Sequence, residues 1–66
     1  MGNKDEIVKL HAKCIKATPK AILVRIEGGQ HWIPQSQIHD DSEVWKEGDE
    51  GELAITEWIA TEKGLI

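Results

Sequence analysis

The chain has neither phenylalanine nor tyrosine and only one cysteine, Cys14, in 66 residues. A single thiol excludes an internal disulfide, and a thiolate zinc site would need several more sulfur ligands. Both usual reinforcements of a very small domain are therefore missing, although a chain this short buries only about 60% of its unfolded surface. A lone thiol fits a reducing cytoplasm. Long apolar runs are also missing, since no stretch approaches the roughly 20 residues that span a bilayer. The polar start Met1-Gly2-Asn3-Lys4-Asp5-Glu6 lacks the build of a signal peptide. The expectation is one soluble domain over residues 1–66, with residues 1–6 flexible.

Proline is scarce, and both prolines act as punctuation. Val8, Leu10, Ala12 and Cys14 alternate with Lys9, His11, Lys13 and Ile15, the period of two of a half-buried strand. Ala17-Thr18-Pro19-Lys20 breaks it, because Pro19 has no amide hydrogen and biases Thr18 toward an extended or turn geometry. Ala21-Ile22-Leu23-Val24-Arg25-Ile26 reads as a central second strand. Gly28-Gly29 tolerates positive φ and supplies a tight hairpin, from which Gln30-His31-Trp32-Ile33 returns antiparallel. Pro34 ends that strand, and Gln35-Ser36-Gln37-Ile38 reads as one helical or 3-10 turn that folds Ile38 onto the core.

His39-Asp40-Asp41-Ser42 is loop. Val44 and Trp45 suggest a short extended piece before the turn Gly48-Asp49-Glu50-Gly51, and Glu52-Leu53-Ala54-Ile55 is the last strand. Thr56 is placed as the N-cap of a helix of about two turns, with Glu57 in its first turn, Lys63 in its last and Gly64 at C′. The predicted class is mostly β: a strongly bent antiparallel sheet or an SH3-like or OB-like barrel of four or five strands, with a short C-terminal α-helix. An open sheet of three or four strands with the helix on one face is the alternative. The predicted core is Val8, Leu10, Ala12, Ile22, Val24, Ile26, Ile33, Ile38, Leu53, Ile55, Trp58 and Ile59.

Catalytic and metal signatures are missing as well. His11, His31, His39 and Cys14 have no paired ligand spacing, and His11 and Cys14, three apart on a strand, point to opposite faces. The acidic runs lack the alternating ligands and terminal bidentate glutamate of an EF-hand loop. No glycine-rich phosphate loop precedes a helix, and Ser36 and Ser42 have no nucleophile-elbow context. The chain reads as a non-enzyme without cofactor or metal, and Cys14 as a small buried hydrophobe.

What is present is charge, unevenly placed, and tryptophan. The net charge is −4. Through Ile33, six basic residues face three acids, a balance of +3; from Pro34 onward two lysines face nine acids, a balance of −7. Two surfaces follow as candidates. One is an acidic contact for a basic partner, made by Asp40, Asp41, Glu43, Glu47, Asp49, Glu50 and Glu52 with Trp45 as its exposed anchor. The other is a basic strand-one edge, Lys9, His11 and Lys13, which with Lys16, Lys20, Arg25 and Trp32 could follow a phosphate backbone. Trp58 belongs to the core or its edge.

The segments Lys16-Ala17-Thr18-Pro19-Lys20-Ala21-Ile22-Leu23-Val24, His31-Trp32-Ile33-Pro34-Gln35-Ser36-Gln37-Ile38 and Thr56 to Leu65 resemble small proteins encoded by bacteriophages and prophages, with Trp-Ile-Pro-x-Ser-Gln-Ile as the shared core motif. The resemblance covers most of the chain and implies an origin in a bacterial host cell, but no activity or residue roles. The first expectation is a protein-binding module, an inhibitor of a host nucleic-acid-handling or defence enzyme working through the acidic surface. The second is a single-stranded nucleic-acid-binding accessory of phage replication or recombination. The third is a structural homo-oligomer paired through a tryptophan-bearing edge strand.

Overall fold

In the computed structural model, which describes residues 6–66, the alternating pattern runs beyond Val8–Ile15 into an eleven-residue strand β1 (Ile7–Ala17). β2 (Ala21–Ile26), β3 (Gly29–Pro34) and β4 (Glu50–Thr56) complete one antiparallel sheet in the order β3-β2-β1-β4. The helix α1 (Glu57–Glu62) follows β4 directly. Of the flexible start expected over 1–6, residues 1–5 lie outside the described residues. The carbonyl of Glu6 accepts the amide of Glu57 at 2.8 Å, which ties that residue to the start of the helix.

β1 is shared. Its residues Ile7–Lys13 pair with β4, and Lys13–Ala17 pair with β2. The register slips between Cys14 and Lys16, so Ile15 is the extra residue of a bulge, the local device that bends and twists a strand. The bend matters for closure. Strands lie about 4.8 Å apart, so β3 and β4, at opposite edges of four strands, would sit about 14 Å apart if the sheet were flat. Yet the chain leaves β3 at Pro34, makes one 3-10 turn over Gln35–Gln37 and bridges Ile38 to Ile55 of β4. A 3-10 turn advances only about 2 Å per residue, so the sheet must curl to bring those edges together. A strongly bent open sheet forms; the chain beyond β3 reaches β4 at that one bridge, and no ladder joins β3 to β4.

The concave side holds the core. Ile22, Val24, Ile33, Leu53 and Ile55 are fully buried, with Ala12, Ile26, Ile38 and Ile59 beside them, as the alternation predicts. Val8 and Leu10 are partly buried against this cluster. Trp58 corrects the expectation: it is 37% exposed, because α1 presents Ile59 and Ala60 to the sheet and turns the indole outward. Val44, Ala54 and Ala60 are buried without having been expected there. Val44 and Trp45 form no strand; they belong to a loop whose residues cover the outer edge of β4.

Local chemistry explains the ends of the elements. Thr18 Oγ1 accepts the Ala21 amide at 3.1 Å and donates to the Ala21 carbonyl at 2.9 Å, which closes the turn around Pro19. Thr56 Oγ1 accepts the Ile59 amide at 3.3 Å, the expected N-cap. At the other end Leu65 N donates to the Ala60 carbonyl and Gly64 N to Thr61, with Gly64 at φ +71°, which is a Schellman stop. Lys63 is the C-cap, one position beyond the last helical residue. No helix among the described residues is long and apolar enough to cross a membrane.

Candidate functional site

In an antiparallel ladder, residues directly opposite share a face, as do residues two apart on one strand. The register therefore assembles the convex face row by row. Lys16, Leu23 and Trp32 form one row across β1, β2 and β3. Lys13, Arg25 and Gln30 form the next, which continues to Glu50 on β4. His11 then stands opposite Glu52, and Lys9 opposite Ala54. Six of the seven residues expected to contact nucleic acid, Lys9, His11, Lys13, Lys16, Arg25 and Trp32, thus share a face. Lys20 does not; it sits in the turn after Pro19, where its carbonyl accepts the Gln35 amide.

Trp32 is the most exposed of the tryptophans, at 44%, and Leu23 lies half-buried directly across from it. Trp32 sits in the middle of a hydrogen-bonded strand, so the direction in which its side chain leaves the backbone is set before any ligand arrives. β3 is an outer strand, and its backbone edge away from β2 has no strand partner among the described residues. Leu23 and Gln30 belong to this face although neither stood out in the sequence.

The acidic candidates are arranged differently. Asp49 is spent within its own turn: its Oδ2 accepts the amides of Trp45 at 3.0 Å and Lys46 at 2.9 Å. Those backbone donors, Lys46 first, hold its carboxyl below the usual aspartate range. Glu43 Oε1 accepts the Glu52 amide at 2.9 Å, and Glu50 Oε2 lies 3.2 Å from His11 Nε2. Asp40, Asp41, Glu43, Glu47, Glu50 and Glu52 are all exposed. Trp45, expected as the exposed anchor, is a lid: it is half-buried against the core, and its Nε1 donates to the Ser42 carbonyl at 2.8 Å.

Cys14 is buried, and burial pushes its thiol above the usual range, so it carries no reactive thiolate at neutral pH. Among the described residues, no group of three or more His, Cys, Asp or Glu side chains is placed to hold a metal ion. His39 and Asp41 approach only each other, at 3.6 Å. No protein family, no curated protein and no solved structure matches the chain.

Proposed function

We propose that this protein is a non-catalytic binding module whose working surface is the convex sheet face, and that the face takes single-stranded nucleic acid. The observation that carries this reading is the row arrangement: an exposed Trp32 on a paired strand, with Leu23 directly across from it and Lys16, Arg25 and Lys13 on the same face. A base stacks on an indole for about 1–3 kcal/mol, and neighbouring cations follow the backbone. The net charge of −4 argues against binding a polyanion, but distance limits its effect. Trp32 stands on the edge strand opposite β4, with Arg25 on β2 and Lys16 on β1 between it and the β4 carboxylates, whose reach is screened over roughly 8 Å at physiological salt. The local field there is set by Lys16 and Arg25.

Titration of a fluorescent oligonucleotide, with the change in tryptophan emission that Trp32→Phe should abolish as a second signal, tests the proposal. With three or four phosphate contacts the logarithm of affinity should fall against the logarithm of salt with a slope of about −2 to −3. Trp32→Ala should weaken binding by about 1–3 kcal/mol. No binding at low salt, or binding indifferent to salt, rejects it.

A second reading keeps the acidic surface as a contact for a basic protein, in the manner of an inhibitor of a nucleic-acid-handling enzyme. What supports it is that four carboxylates, Asp40, Asp41, Glu43 and Glu47, stay exposed on a loop pinned to β4 by backbone bonds, with Glu50 and Glu52 exposed on β4 itself. Its test is charge reversal at Asp40 and Asp41, which make no contact with the core; unchanged affinity for a captured partner removes it.

A further inference from the structure

β1 outruns its neighbour. The Cys14 amide donates to the Asp49 carbonyl at 2.7 Å, and the Cys14 carbonyl accepts the Gly48 amide at 2.9 Å, so the main-chain groups of Cys14 point to the β4 side. Antiparallel geometry alternates, which sends the N–H and C=O of Lys13, His11, Lys9 and Ile7 to the opposite side. Lys13 meets Arg25 there. β2 ends at Ile26 and turns away through Glu27 and Gly28, so Lys9 and His11 have no backbone partner on that side among the described residues. Among the described residues, the sheet therefore leaves a strand position vacant beside Ile7–His11, beyond the tip of the β2–β3 hairpin.

The surroundings of that position define what would fill it. Beside it lies a groove of about 350 Å³ lined by Leu10, His11, Ile26, Glu27 and Leu65, so its walls are mostly apolar. On its other edge β1 already shows which strand suits it: β4 places Glu52 opposite His11 and Glu50 opposite Lys13 on the convex side, and Leu53 opposite Leu10 on the core side. Lys9 gains no such partner, since Ala54 stands across from it. Opposite charges directly across a ladder stabilise it, and like charges oppose it.

We propose that the free edge of β1 accepts an extended acidic peptide as an added strand, with an apolar side chain in the groove beside Leu10 and carboxylates on either side of it opposite Lys9 and His11. Main-chain bonds would supply the attachment, and the alternation of acid, apolar and acid would supply the selectivity. This site is independent of Trp32, so either proposal can fail without the other.

The test uses the full chain and a blocked peptide centred on Glu-Leu-Glu, followed by amide chemical shifts and hydrogen exchange. Binding should saturate and protect the amides of Lys9 and His11, while a peptide N-methylated at both glutamates should give neither effect. Replacing the two glutamates with lysine should weaken binding at least tenfold. Lys9→Glu, an exposed change that spares the core, should reverse that preference. Unprotected Lys9 and His11 amides at saturating peptide overturn the proposal. So does protection of both in the peptide-free protein, whether constant or rising with protein concentration, because the position is then already filled.

Discussion

Glu27 holds φ at +49° at the tip of the β2–β3 hairpin, followed by Gly28 at +84°. A side-chain-bearing residue in that left-handed region carries a penalty of about 1–2 kcal/mol, partly offset in glycine by its greater unfolded entropy. Glu27→Gly should therefore stabilise the fold by about 1 kcal/mol, seen as a higher urea midpoint with an unchanged slope. Asp49 acts in the opposite sense. Its carboxyl titrates below the usual aspartate value when folded, so its contribution is complete above about pH 4 and fades as the pH falls through the lower folded value. Asp49→Asn should flatten the acid limb of stability against pH below about pH 4; an unaltered limb means the turn gains nothing from the charge. At this scale the sequence conceals more than it shows. Trp45 lies between Val44 and Lys46 beside an acidic turn, and no local pattern reveals that the Ser42 carbonyl will capture its indole N–H.

α1 has six residues, too few to persist alone, so caps and packing sustain it. Thr56 serves two elements: it caps α1, and its hydroxyl donates to Gln37 Oε1 at 2.8 Å in the 3-10 turn. Thr56→Ala should cost about 1–2 kcal/mol by chemical denaturation, and Thr56→Ser should restore most of it; equal losses in both would point to the methyl group instead. Such caps are legible in a sequence because they depend on residue type at fixed short spacing, which is why Thr56 and Gly64 were placed correctly. Hairpin register is less legible. A turn centred on Gly28-Gly29 puts Arg25 opposite Trp32, whereas the actual centre, Glu27-Gly28, pairs Gly29 with Ile26 and Leu23 with Trp32. Glutamate is a poor marker for positive φ, so the two-residue shift was hidden, and with it the pairing of Leu23 directly across from Trp32.

For the molecule as a whole, alternation located the core well, because one buried face demands period two wherever a strand runs. The charge division was only half informative: folding lays β4 beside β1, so Glu50 and Glu52 share a face with Lys9 and Lys13, while the loop carboxylates stay apart. The core leaves little reserve. A domain of this size is stable by about 3–10 kcal/mol, and truncating a fully buried isoleucine costs about 2–5. Ile33→Ala should therefore populate unfolded chains measurably at 25 °C, with hydrogen exchange accelerated across β1, β2 and β4 together, since β1 is common to both ladders. Acceleration confined to the β2–β3 hairpin would show that the two flanks open separately. The short crossing from Pro34 to Ile38 has a different kind of consequence, one of length. It works as a ruler without slack, so an inserted residue among Gln35–Gln37 should displace Ile38 from Ile55.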